Sequence, residues 1–509
     1  MFLKTIKNVT GSWLGLAATM VVGFLLTPFI LHRLGNTALG LWVLITSFTG
    51  YYGMLDLGIR NAIVQYVARY HATDEAGELA KVVSTGFFTY GCVALLATAI
   101  TLIAAANLHL WSKVTPDERA TAHALLLIVG IVTAIGMPIT VFTGVLEGLQ
   151  KFALIGTIQT LAVLLRAGLI VAGLSAGHGI VFVGGATVAV NLAASLVLMS
   201  VAFRIFPRNL LQWNSVSRST LSALVGFGVV TFWISIANVL RFQFDYMIVA
   251  AFISVPAVTF FAAGGRLVSY TVDIVQTMAQ VFTPMSSAFH ATGSFGGLRR
   301  VLVVGNRYSA FVAFPLAAVL LLIGPRLIEA WLGAPYISSQ SVLAILIVPS
   351  TLFMAQASSP KVLYGMQRHK TLAVVLLIEG VANLALSIAL ARPYGINGVA
   401  MGTAIPLFCT SVFFLPIHLC RLLQLRLRDF VFDCFAYPLL LTLPLALALR
   451  LLDTRIPGRS RIELIEILFF AGLLYGLELL VYFWRVEFPQ ISARRSAAIA
   501  AEKVLQSGE

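Results

Sequence analysis

MFLKTIKNVTGSWLGLAATMVVGFLLTPFIL, residues 1–31, is the stretch whose reading decides the fold. Lys4 and Lys7 stand near its start, and from Gly11 to Leu31 no charged residue occurs. About 20 apolar residues are enough for a helix to cross the hydrocarbon core of a bilayer. A basic start also opens a secretory signal, but this apolar stretch is too long for one and no small-residue cleavage site follows. The expectation is a first spanning helix that stays attached.

The same texture runs along the whole chain. Of 509 residues, 59% are hydrophobic and 11% charged, with a mean hydropathy of +0.94. Soluble domains carry about 25% charged residues, so a soluble reading is excluded. Lipid offers no partner to an unpaired backbone N–H or C=O, which leaves helices and closed barrels as spanning structures. Barrel strands alternate apolar and polar residues, whereas these blocks are solidly apolar. The fold class is therefore all-α, a polytopic membrane protein of about fourteen transmembrane helices joined by short loops.

The formal net charge of +14 does not signal nucleic acid. Of the 34 Lys and Arg residues, 22 fall on the side of the N-terminus, the even-to-odd loops and the C-terminus, and 9 on the opposite side. The positive-inside rule produces such an asymmetry unaided, and it places both termini in the cytoplasm. Cys92, Cys409, Cys420 and Cys434 have no metal-like spacing and read as small core residues. No GxxxxGK[ST] phosphate loop occurs, so no nucleotide is hydrolysed by that route, and no cofactor is implied.

An internal repeat organises the chain. HATDEAGELAKVVSTG at 71–86 and HATGSFGGLRRVLVVG at 290–305 share seven identities at a constant offset of 219. The same offset maps the first three spans onto the seventh to ninth. Six helices separate the copies, so both copies enter the membrane from one side, the parallel-repeat arrangement of many carriers. The expected organisation is an N-lobe of six helices (1–204), a cytoplasmic linker (205–219), a C-lobe of six helices (220–424), and two further helices with a tail (425–509).

At this point a resemblance enters. GLWVLITSFTGYYGMLDLGIRNAIVQYVARY (40–70), GVLEGLQKF (144–152) and FQFDYMIVAAFISVPAVTFFAAGGRL (242–267) resemble the polysaccharide flippases of the multidrug/oligosaccharidyl-lipid/polysaccharide superfamily. The resemblance covers roughly residues 1–420 and is a diffuse pattern without a strict motif. It implies an export carrier that moves an undecaprenyl-diphosphate-linked oligosaccharide from the cytoplasmic to the outer leaflet of the bacterial cytoplasmic membrane. Such carriers serve O-antigen, capsule or exopolysaccharide assembly and are thought to use an ion gradient, of protons or sodium. Association with other polysaccharide-assembly proteins is a further implication. The resemblance also matches Arg266 to a family arginine early in the eighth span.

Charged side chains inside spans cost about 2.5–3.5 kcal/mol each on the insertion scale, so each one asks for a reason. Arg266, Tyr270 and Asp273 share one face of the eighth span, with Gly264 and Gly265 just before them. Asn238, Arg241 and Asp245 form a stripe on the seventh, Asp56 and Arg60 lie on the second, Arg166 on the fifth and Glu379 on the eleventh. One reading is a central cavity. There Arg266, Arg241, Arg60, Arg166 and Asn238 would bind substrate, since a guanidinium fork suits phosphate oxygens. Asp273, Asp56, Glu379 and Asp245 would be the carboxylates that couple to an ion. The other reading is neutralisation for insertion, by Arg241–Asp245 and Asp56–Arg60 pairs within helices and by Arg166 pairing with Glu379 or Asp273. Gly264 and Gly265 are expected to let the eighth span approach the opposing lobe.

Two rivals stand beside the flippase reading. A drug/cation antiporter of the same superfamily would want a mainly acidic cavity. A membrane enzyme of polysaccharide assembly, a polymerase or glycosyltransferase, would want a large outward loop or clustered catalytic carboxylates. Here Arg and Asp are mixed and the outward loops are short.

Overall fold

The computed structural model describes residues 2–56, 58–206, 210–456 and 461–487. Among them the chain is helical throughout, with no strand. Eleven helices are long and apolar enough to cross a membrane, or twelve if the bent pair around Arg241 and Phe244 is one span. The count of fourteen is not reached by this measure, and the difference lies in two over-long stretches. Gly15–Asp56 runs for 42 residues and Lys370–Leu422 for 53, while a single crossing needs about 20. Each stretch is broken at a glycine whose backbone leaves the helical region, Gly35 (φ 80°) and Gly395 (φ 58°). A residue with a Cβ is strained at such angles, so the apolar run turns where glycine permits it.

The first half of the chain comprises α1 (Phe2–Gly50), α2 (Ile59–Ala72), α3 (Ala76–Ala106), α4 (Pro116–Gly136), α5 (Thr140–Gly148), α6 (Phe152–Ser175) and α7 (Ile180–Ile205). The second half has α8 (Arg218–Phe242), α9 (Phe244–Ile248), α10 (Val255–Ala279), α11 (Phe282–Ala291), α12 (Phe295–Leu332), α13 (Gln340–Ala355), α14 (Ser358–Gly365) and α15 (His369–Cys409). After α16 (Leu415–Leu422), α17 (Tyr437–Arg455) and α18 (Arg461–Tyr482) close the chain. This last pair packs on α12 through Ile323, Leu445, Leu449, Leu464 and Ile467. Arg326 of α12 ties it down at one end, 2.7 Å from Asp453. Arg307 of the same helix holds the other end, donating to the Asp433 carbonyl at 2.6 Å.

The sequence repeat has a structural counterpart. Thr73 and Thr292 each end a helix, and the next residue, Asp74 or Gly293, takes a positive φ of 57° or 66°. Glu75 N–H then donates back to the Tyr70 carbonyl, and Ser294 N–H to the Phe289 carbonyl, both at 2.9 Å. A second duplicated turn, missed in the sequence, joins VLEGLQK (145–151) to VLYGMQR (362–368). Gln150 (φ 56°) and Gln367 (φ 58°) occupy its left-handed position. Within each half the helices that end in the two turns pack together, a Cβ on Gly148 standing 2.9 Å from the Val64 carbonyl and one on Gly365 2.8 Å from the Ser287 backbone nitrogen.

Candidate functional site

Between the two halves lies a cavity of about 600 Å³. Its walls come from α1, α6, α7, α10 and the start of α9, with Trp331, Ser350 and Thr403 contributed by α12, α13 and α15. Among the described residues four charged side chains line it: Arg166, Asp245, Arg266 and Asp273. They belong to three separate parts of the chain, so the charge pattern is assembled by packing.

Arg266 reaches the cavity from α10, its guanidinium 4.9 Å from the ring centre of Tyr270 one turn later. A close approach makes room for this. A Cβ on Gly23 of α1 would stand 2.9 Å from the Tyr270 hydroxyl and 3.6 Å from the Arg266 guanidinium. A side chain at this position would push the end of the Tyr270 ring aside. The expected role of Gly264 and Gly265 is therefore corrected: Gly264 packs on the Ser339 carbonyl at the start of α13, and Gly265 faces Leu346, both within the second half. Among the described residues no carboxylate lies within 4 Å of either Arg266 or Arg166. Both cations thus face the cavity without a close counter-ion, and Arg166 does not pair with Glu379 or Asp273.

Arg241 behaves otherwise. It is buried to 3% exposure, away from the cavity wall, with Nε 2.7 Å from Glu379 on α15 and its guanidinium 4.6 Å over the Phe353 ring. Asn383 Nδ2 donates to the Arg241 carbonyl at 3.0 Å, and Thr403 Oγ1 donates to Asp245 Oδ2 at 2.6 Å. The intrahelical Arg241–Asp245 pair is therefore not what forms; each residue bonds to α15 instead. Glu379 is likewise absent from the cavity lining.

The second span shows the same redirection. Arg60 turns to Glu147 of α5 at 2.6 Å, while the Asp56 carboxylate accepts from Tyr90 of α3 and from the Arg60 backbone N–H at 3.3 Å. Neither Arg60 nor Asp56 lines the cavity. The side chain of Asn238 lies outside the described residues. Glu147 and Thr403 carried no signal in the sequence reading. Glu147 sits at the end of a span, where acids are ordinary, and threonine is common in membrane helices.

The family described as polysaccharide biosynthesis protein matches residues 5–290. The Shigella flexneri "Putative O-antigen transporter" is 21% identical over 413 residues, covering 79% of this chain and 95% of that one. The "Uncharacterized membrane protein EpsK" of Bacillus subtilis is 22% identical over 441 residues, covering 82% and 84%. Among solved structures, lipid II flippase MurJ in an inward closed conformation gives a TM-score of 0.69 at 13% identity, covering 95% of this chain and 99% of that one. An inward-facing multidrug resistance MATE family transporter of the MOP superfamily gives 0.64 at 15% identity, covering 83% and 95%. The helices are thus arranged as in these two transporters.

Proposed function

Because the chain belongs to the polysaccharide biosynthesis protein family, we propose that it flips an undecaprenyl-diphosphate-linked oligosaccharide from the cytoplasmic to the outer leaflet of the bacterial cytoplasmic membrane. Residues 1–204 and 220–424 are the two lobes, both termini are cytoplasmic, and the lobes rock about the cavity between them. The observation that carries this reading is the pair Arg166 and Arg266, from different halves, facing one cavity with no carboxylate within 4 Å among the described residues. A diphosphate headgroup suits these two cations, since guanidinium forks hold phosphate oxygens two at a time.

Asp273 and Asp245 line the same cavity and are the carboxylates we assign to ion coupling. Glu379 and Asp56, which lie off the cavity, are second choices for that role, as Arg241 and Arg60 are for substrate. The mixture of charges supports an anionic headgroup over a cationic drug.

The experiment compares polysaccharide export per folded molecule for the parent, Arg266→Lys and Arg266→Ala. Bidentate binding predicts that Lys substitutes poorly, with export lowered about tenfold or more, because an ammonium cannot reproduce two parallel hydrogen bonds. Unimpaired export by the Lys variant would remove bidentate diphosphate binding and leave only a charge requirement.

A further inference from the structure

Hydrogen bonds join the two halves of the chain at Phe24, Asn36, Tyr51 and Lys113. Trp331 Nε1 donates to the Phe24 carbonyl at 2.7 Å, and the Tyr51 hydroxyl to the Gln243 carbonyl at 3.1 Å. Lys113 donates its backbone N–H to Ala250 at 3.1 Å and its Nζ to the Phe252 carbonyl at 2.7 Å.

Asn36 differs from the others because it holds two C-lobe elements at once, the first turns of α10 after the 7–8 loop and the 9–10 loop. Its carbonyl accepts from Thr259 Oγ1 of α10 at 2.7 Å, and its side-chain oxygen accepts from the Tyr336 hydroxyl, just before α13. A carbonyl has two lone pairs, so the Asn36 C=O at the start of the helix that follows the Gly35 break can accept this bond as well as any from its own helix. Tyr336 is fixed in turn by stacking on Phe260, ring centres 5.2 Å apart. Thr259 and Tyr336 are 1% and 8% exposed, so both bonds are shielded from water while the clasp is closed. Four residues on, a Cβ on Gly40 would run into the Val255 carbonyl, so the two backbones touch along the same seam.

We propose that Asn36 is the residue that sets which side of the membrane the cavity faces, by clasping the 7–8 and 9–10 loops of the C-lobe to the N-lobe. The inference rests on the alternating-access reading and adds its positioning residue. Under the proposed topology these loops are outside, so the clasp seals the outer mouth, and each transport cycle must break both bonds. Asn36 acts on access alone; it does not line the cavity.

The test reads access without needing substrate. In a full-length chain with Cys92, Cys409, Cys420 and Cys434 replaced by Ala, a single Thr46→Cys in the cavity wall is labelled on whole cells by a membrane-impermeant maleimide. Asn36→Ala removes the bond to Tyr336, and Thr259→Val removes the bond to the backbone. Each should speed outward labelling about fivefold, the population shift worth one net hydrogen bond. Tyr336→Phe keeps the ring stack and removes the same bond as Asn36→Ala, so combining those two should add little beyond either alone. It also carries the test where Asn36→Ala does not accumulate. Unchanged labelling in Tyr336→Phe and Thr259→Val overturns the clasp, as does full additivity of the Asn36 and Tyr336 changes. A clasp that responds as expected while Arg266→Ala exports normally would leave this inference standing and remove the substrate reading alone.

Discussion

Arg241 and Glu379 meet at 2.7 Å from two different helices, with side-chain exposures of 3% and 1%. Desolvating two such ions is expensive, and their attraction offsets this only while both are present. Breaking the pair from one side should therefore harm the protein more than deleting it. Glu379→Gln or Arg241→Met is expected to destabilise the folded chain by about 3–5 kcal/mol, with the double Met replacement recovering most of that. Thermal unfolding in detergent, with abundance in the membrane, decides it. A double variant as unstable as its worse single would mean that the pair does more than neutralise.

Arg60 and Glu147 form the contrasting case, at 2.6 Å but with side-chain exposures of 41% and 21%. Partly exposed pairs contribute about 0–1 kcal/mol. Glu147→Gln should leave abundance and export near the parental level. A loss of export at normal abundance would show that Arg60 serves transport and not only the seam between α2 and α5.

Asp273→Asn keeps the side-chain volume and removes the charge from the cavity wall. The variant should insert and fold normally, with export reduced at least about tenfold if the carboxylate carries the coupling ion, a loss of roughly 1.4 kcal/mol in the slow step. Surface polysaccharide per molecule of transporter is the readout. Parental export at parental abundance would leave Asp273 without a role in coupling.

Reporter fusions test the arrangement across the membrane. Fusions after Pro335 and Arg455 should report from outside, and those after Ser217 and Ser507 from the cytoplasm. Ser507 lies beyond the last described helix, so its side depends on whether Gly15–Asp56 and Lys370–Leu422 each cross twice or make a different number of passes. An outside report from that position would contradict fourteen crossings.

Composition and the solidly apolar blocks settled that the chain is a bundle of membrane helices, because lipid leaves only helices and closed barrels to satisfy the backbone, and barrel strands would alternate. The HAT repeat was also legible, since each copy ends a helix with the same local hydrogen bonds, and local bonds follow local sequence. Helix periodicity correctly put Arg266 and Asp273 on one face, the face that lines the cavity. It could not say what the other charges would meet. A spacing of four made Arg241–Asp245 look like a pair, yet Arg241 turned to Glu379 and Asp245 to Thr403. The physical reason is that periodicity fixes the direction of a side chain relative to its own helix and carries no information about the helix opposite. In a dry interior a charge is held by whichever partners surround it most completely, and those are brought in by α15, far along the chain. Cavity, ion pairs and the Asn36 seam are all contacts between distant segments, so only the tertiary structure decided them.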